Sequence, residues 1–375
     1  MQSPGSPFTG WYVAGNAGEL ETPALILYPE RIEANIRKMI DVAGSADRLR
    51  PHVKTHKIPE IVQLQVRHGI RKVKCSTIAE TEMAARAGAD DILLAYQPVG
   101  PNIQRFFSLP RKFPSKKFSC ISDCESILRE LSDHASVTGY KAHIWLDINA
   151  GMNRTGIEPG EKARELFRMI SLLPGLVPAG LHVYDGHINE RNVENRIKIC
   201  DEAFAPVRSL IEDISIMTGA PVKVIAGGTP TFPVHARREN TELSPGTTLL
   251  WDYGYGSSFS DMQFLYAAVL LTRVISKPSG NKICIDLGHK AVASEMPHPR
   301  IHIEGMHDYR VTGHSEEHMV IETTEAGKIN VGDHLYAIPW HICPTVDRYD
   351  TVYVSEGGMV TGQWQVEARK RKINL

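Results

Sequence analysis

Long hydrophobic runs are scarce in this chain. The longest strongly apolar stretch, residues 264–271, falls far short of the roughly 20 apolar residues a membrane-spanning helix needs. The opening MQSPGSPFTGWYV lacks the basic-then-apolar build of a signal peptide, so the cytoplasm is the expected compartment. An excess of either charge is also missing. The 42 Lys and Arg against 43 Asp and Glu argue against a nucleic-acid or anionic-membrane partner, which would want a basic face. Cysteine is sparse as well: six residues, at 75, 120, 124, 200, 284 and 343, with no CxxC pair. A disulfide framework makes little sense in a chain this long, and most of these thiols are expected to be small buried apolar groups.

What is present is an ordinary globular mix, 42% hydrophobic and 23% charged, in 375 residues. That length exceeds one compact core and implies two domains, or one large barrel with an appendage. Short β-rich runs fall at 24–28, 49–54, 73–76, 92–96, 118–122, 143–148, 177–184, 222–227 and 243–251. Between them lie stretches such as PERIEANIRKMIDVA, TIAETEMAARAGA and CESILRELSDHA, apolar at i, i+3 and i+4 as a helix requires. Ser122 or Asp123 stands where a helix cap belongs before CESILREL. Regular alternation of this kind implies an α/β architecture of parallel strands with helical crossovers. Eight or nine units over roughly 225 residues match the size of a (β/α)8 TIM-type barrel, with an open doubly wound sheet as the competing arrangement. After about residue 255 the runs FLYAAVLLTRVI, KICIDL, HMVIETT, HLYAIP and TVYVSE are broken by Gly, Pro, Asn and Asp, which predicts a mostly antiparallel β domain. Two patches near the start, 11–13 and 24–28, are candidates to pair with it.

The densest chemical signal is Arg50-Pro51-His52-Val53-Lys54-Thr55-His56-Lys57. A nucleophilic lysine must be partly neutral near pH 7, although its intrinsic pKa is about 10.4. Burial and cationic neighbours lower it, and Arg50, His52, His56 and Lys57 crowd Lys54. The competing reading is a basic surface loop. A second signal is His341-Ile342-Cys343: two residues apart on an extended strand, the two side chains point the same way and can share a metal. Alone, HxC is a pattern that chance supplies often.

RPHVKTHK, followed by VKCSTIAETEMAARAGADDILLAY, resembles the N-terminal barrel of the D-threonine aldolase and D-serine dehydratase family, pyridoxal-phosphate (PLP) enzymes of the alanine-racemase-like fold type. The likeness continues in order through TPALILYPERIEANI, DINAGMNRTGI, GLHVYDGHI, GGTPT, SPGTTLLWDYG and HICPTVD. It implies that residues 29–250 form the PLP-binding barrel, and that 1–28 and 251–375 form a β domain with a metal site. Lys54 would carry pyridoxal 5′-phosphate as a Schiff base. The segment 49–54 would be the first barrel strand, and 24–28 would join the β domain.

On such a barrel the loops after strands seven and eight commonly bind phosphate, which points to Gly228 and Thr229, with Thr231 beside them. Family members place an arginine near the phenolic oxygen of the cofactor at the position of Arg154. His182 and Tyr184 share a strand face: one would lie against the cofactor ring, and Tyr184 could reach the pyridine nitrogen. His187, just past that strand, is expected to take the proton of a substrate hydroxyl. Ser244 stands before Pro-Gly where alanine racemases carry an arginine, so racemase activity does not carry over. In this family a C-terminal His-x-Cys or His-x-Asp pair holds the divalent ion, here His341 and Cys343; thiolate favours Zn²⁺, whereas the aldolase form with Asp uses a harder ion such as Mn²⁺. The expected activity is cleavage of a D-3-hydroxy amino acid to glycine and an aldehyde. Its rivals are D-serine or D-threo-3-hydroxyaspartate dehydration and a non-catalytic PLP-carrier role, the last disfavoured by the large β domain. A homodimer follows from the family alone.

Overall fold

The computed structural model describes residues 6, 7 and 9–375. Its strands, in chain order, are β1 (Ala24–Leu27), β2 (Lys72–Cys75), β3 (Asp91–Leu94), β4 (Lys117–Ser122), β5 (Ala142–Ile148), β6 (Leu176–Val183), β7 (Val224–Ala226), β8 (Thr241–Leu243), β9 (Ala268–Ser279), β10 (Lys282–Ile285), β11 (Ile301–Ile303), β12 (Tyr309–His314), β13 (Met319–Thr323), β14 (His334–Pro339), β15 (Thr351–Glu356) and β16 (Met359–Gln365). The chain divides into two compact units, Ile36–Gly246 with Glu367–Leu375, and Met1–Asn35 with Thr247–Val366.

In the first unit β2 to β8 pair in sequence order, all parallel. Residues alternate across each strand between two apolar layers, as parallel strands covered on both faces require. Ile92, Leu94, Ile144 and Leu146 pack among helix residues such as Phe106 and Leu128, whereas Leu93, Ile121, Trp145 and Ile225 form a separate inner cluster. The segment expected as the first barrel strand is present only as isolated parallel bridges, Leu49 to Leu243 and His52 to Lys74. Pro51 cannot donate a ladder hydrogen bond. The chain then tightens into a 3-10 turn at Val53–Thr55, so the run closes the β8 and β2 edges without becoming a regular strand. The expected 243–251 strand is displaced: β8 spans Thr241–Leu243, Pro245 follows, and Thr247–Leu249 form a 3-10 turn. A register shift between β5 and β6 falls at Trp145, opposite Gly180 (φ 144°). A Cβ there would lie 2.2 Å from the Lys223 carbonyl oxygen, so only glycine fits.

The predicted helices form, beginning with α1 (Pro29–Ala43), which coincides with PERIEANIRKMIDVA. The helix expected from CESILREL, Glu125–Thr138, is entered through Cys124 and not through Ser122 or Asp123, and Gly139 ends it in the left-handed conformation. Asp123 instead accepts from the Gly156 N–H at 2.7 Å.

The second unit is one nine-stranded sheet, ordered β12-β13-β10-β9-β1-β15-β16, with β14 on β9 and β11 on β14. All pairs are antiparallel except β1 with β15. β1 covers most of the 24–28 patch. Residues 11–13 form no strand; Tyr12 is buried against Ala24, Ile26 and Tyr336 instead. The C-terminal residues Glu367–Leu375, expected in the β domain, belong to the barrel unit, where Glu367 pairs with Arg86 and Asn374 binds Glu82. Among the described residues no helix is long and apolar enough to cross a membrane.

Candidate active site

Lys54 sits in the 3-10 turn after the bridging segment, and its backbone N–H donates to His52 Nδ1 at 3.3 Å. Its Nζ lies 5.7 Å from the centroid of the Tyr184 ring. The Arg154 guanidinium and Lys74 Nζ each approach the same ring at 5.1 Å. Tyr184, just past β6, is thus ringed by three cations from three segments of the barrel.

The basic crowd read from RPHVKTHK is composed differently from the expectation. Arg50 is buried and paired with Asp91 (2.8 Å) and Glu242 (2.6 Å), so its charge is compensated away from Lys54. His56 is held neutral: burial pushes it down to about 3. Burial, then the charges of Lys54 and Lys74, keep His52 well below its usual range. Lys57 lies 3.9 Å from the buried carboxylate of Glu80. The basic groups that face Tyr184 alongside Lys54 are therefore Lys74 and Arg154.

Lys74 was not singled out from the sequence. It is only 3% exposed. In register it sits beside Leu93, on the inner face of the sheet, while its neighbours Val73 and Cys75 pack in the outer core. That alternation in KVKC was the available signal: a lysine on the inward face between two apolar outward residues. Its amine is 3.1 Å from His182 Nε2, and His182 Nδ1 is 2.6 Å from Asp147 Oδ1. A carboxylate only accepts, so His182 donates from Nδ1 and offers Nε2 to the lysine. Burial and the Lys54 charge bring Lys74 down to about 7, against the pull of Asp147 and Asp185.

The loop after β7 is tied from beneath. Asp185 accepts from the Gly228 N–H (3.2 Å), from Thr231 Oγ1 (2.7 Å) and from His235 Nε2 (2.7 Å). Gly228 therefore turns its N–H inward, toward Asp185 and Thr231. Thr229 Oγ1 accepts from the Gly246 N–H at 3.2 Å, which joins this loop to Ser244-Pro245-Gly246. Ser244 is buried, and its hydroxyl has no hydrogen-bond partner among the described residues. A buried orphan hydroxyl is costly unless a ligand completes it, which fits a cofactor bound against the ends of β7 and β8. Asp185, Cys200 and His235 offer ligand atoms within 4.8 Å of one another. The Asp185 oxygens already accept three hydrogen bonds, and burial pushes the Cys200 thiol up to about 12, so the cluster acts as a support for the loop.

His187 is exposed, and its Nε2 would lie 3.2 Å from a Cβ at Gly151 (φ 108°), so the loop carrying Arg154 runs past it. In the β unit His341 and Cys343 do not lie on one strand. His341 is the extended residue that enters the short helix Ile342–Val346, and Cys343 lies in its first turn. Strand-to-helix geometry, rather than strand alternation, hydrogen-bonds the two side chains to each other. His341 Nδ1 also meets Glu295 Oε1 at 2.5 Å, and Asp252, accepting from the Ile342 N–H at 3.0 Å, holds the segment. Burial would lower His341, but Cys343, Asp252 and Glu295 raise it to about 9. An imidazole and a thiol in contact, with a carboxylate on Nδ1 of the imidazole, are a donor set suited to a divalent ion of zinc type. Glu295 and Asp252 gave no sequence signal.

The sequence profile of the alanine racemase N-terminal domain matches residues 28–253, and that of a serine dehydratase domain matches residues 267–355. A 3-hydroxy-D-aspartate aldolase of Paracoccus denitrificans is 30% identical, over 94% of this chain and 92% of its own. A D-threonine aldolase of Arthrobacter sp. is 29% identical, over 93% of both chains. The crystal structure of D-threonine aldolase from Filomicrobium marinum superposes with a TM-score of 0.87 at 27% identity, covering 97% of this chain and 98% of that one.

Proposed function

The chain belongs to the family of D-threonine aldolases and D-serine dehydratases on the alanine-racemase-like fold, and from that premise we propose that it is a PLP- and divalent-metal-dependent lyase that cleaves D-3-hydroxy amino acids to glycine and an aldehyde. The observation that carries the reading is the cluster of basic groups around Tyr184. It gathers the Lys54 amine, the Lys74 amine and the Arg154 guanidinium, and Ser244 supplies an unsatisfied buried hydroxyl at the end of β8.

When bound, pyridoxal phosphate supplies the electron sink that lets a bond to Cα break. Lys54 is the amine that holds it. The fixed positive fork of Arg154 suits its phenolic oxygen. Ser244, a neutral group, would stand where racemases carry an arginine toward the ring nitrogen, which separates this site from a racemase. Thr229 and the loop braced by Asp185 would receive the phosphate, while the Thr231 hydroxyl is committed to Asp185 beneath it. His187 takes the proton of the 3-hydroxyl. A divalent ion on His341 and Cys343 supplies a Lewis acid that makes such a hydroxyl more acidic. By family, the enzyme works as a homodimer.

The thiolate of Cys343 and the match of 267–355 to a serine dehydratase domain favour a second reading, dehydration of D-serine or D-threo-3-hydroxyaspartate. One assay separates the two: D-threonine and D-serine offered with Zn²⁺, Mn²⁺ or neither. Acetaldehyde with glycine is the expected product from D-threonine. A keto acid with ammonia would overturn the aldolase reading in favour of the dehydratase.

A further inference from the structure

Lysine is almost never fully buried without a compensating carboxylate. Lys74 is 3% exposed, and among the described residues no carboxylate lies within ion-pair distance of its Nζ. Its contact is with a neutral imidazole, His182 Nε2 at 3.1 Å, which is anchored in turn on Asp147. The amine points into the same pocket as Lys54, over the same ring. A lysine kept only for packing would be replaced at no cost by an apolar side chain, so this burial calls for a chemical role.

We propose that Lys74 is a second catalytic amine of the site: as an ammonium it delivers the proton that Cα of the glycine product acquires, while His182 and Asp147 fix its position. The proposal rests on the lyase reading. Cleavage of Cα–Cβ removes a proton from the 3-hydroxyl and requires one at Cα. One N–H bond of Lys74 breaks and one C–H bond forms at Cα. The N–H electron pair stays on Nζ, and the proton released from the hydroxyl restores the ammonium, so turnover is proton-neutral.

The groups facing the amine are Lys54 and Arg154, which oppose its charge, Asp147 and Asp185, which favour it, and the imidazoles of His52 and His182. Their balance places the group near 7, where a proton carrier has both forms available. The donor form is present below that value and lost as the pH rises through it.

The test uses the full chain as Lys74→Met and Lys74→Arg. With PLP bound, visible absorption reports whether Lys54 still holds the cofactor. NMR in D2O then follows exchange of the glycine α-hydrogen. Both variants should keep the absorption and lose exchange by about 10²-fold or more. Exchange at the wild-type rate in Lys74→Met would overturn the proposal. So would rescue by Lys74→Arg, whose fixed charge cannot release a proton. In the apoprotein, reductive ¹³C-methylation gives an activity-free readout. The methyl resonance absent from Lys74→Met should titrate near pH 7, and titration near the ordinary lysine value of about 10.4 would sink the idea even if a variant fails to fold. Failure of the lyase reading is a separate result: wild-type enzyme releases no glycine from D-threonine, while the apoprotein titration still reads Lys74.

Discussion

Removing the Lys54 amine tests the cofactor assignment at a single atom. Lys54→Ala should abolish the visible absorption of the Schiff base in purified protein supplied with PLP. The neighbouring side chains decide which lysine could replace it. Lys57, adjacent in the motif, lies 3.9 Å from Glu80, whereas Lys74 shares the pocket and is brought down to about 7. Any band that survives should therefore trap with borohydride on Lys74; a label on Lys57 would show that the pocket is misassigned. His187→Ala probes the opposite end of the proton path. Loss of general-base help should lower kcat by roughly 10²–10⁴-fold with PLP retained. Activity close to wild type on D-threonine would move the base role to another group. His187 could be singled out as a candidate because YDGH is a local motif. Lys74, Asp147 and Glu295 were not, since each meets its partner from a distant stretch of sequence, 108, 35 and 46 residues away.

The segment carrying Lys54 shows what a motif conveys about an element and what it withholds. The family resemblance made it the first barrel strand, but a proline and the following turn left only two bridges, one to β8 and one to β2. Backbone bonds from the Arg50 N–H to Leu243, from the His52 N–H to Pro245 and from the Lys74 N–H to Pro51 tie it to its neighbours, and side-chain pairing adds to them: Arg50 is clamped between Asp91 on β3 and Glu242 on β8. Burial alone would raise both carboxyls, yet the Arg50 charge holds each below its usual range. With folded values depressed, the pairs stabilise the protein above the ordinary carboxylate range, and the contribution is lost as pH falls through the lowered values. Arg50→Met leaves Asp91 and Glu242 with only their outer partners, Lys117 and Lys72, and should destabilise by about 1–3 kcal/mol at pH 7. Urea unfolding should show the gap to wild type narrowing toward pH 3, and a gap that stays constant would mean that the pairs contribute little. Helices were read more faithfully, α1 to the residue, because a 3.6-residue apolar period over fifteen positions is a stronger signal than four-residue strands provide.

At the scale of the whole molecule, the proposed metal ligands His341 and Cys343 and the proposed cofactor lysine Lys54 belong to different folded units, which makes their functions separable by experiment. Strong chelation should remove activity and leave the PLP absorption largely intact, and His341→Ala should do the same; full activity in chelator would reduce HxC to a structural turn. The reaction itself is decided by which bond to Cα breaks. A dehydratase must remove the Cα hydrogen, so deuterium there slows it wherever that step limits the rate. A retro-aldol cleavage breaks Cα–Cβ and leaves the original Cα hydrogen in place. D-threonine labelled at Cα should therefore give glycine that retains its label, with a second hydrogen drawn from the protein and ultimately from solvent. Early sampling is needed, because released glycine can rebind and exchange. Mass spectrometry at low conversion should find one label per glycine. Label already lost to solvent at the earliest times, together with a keto acid product, would overturn the aldolase assignment and leave Cys343 as the thiolate of a dehydratase metal centre.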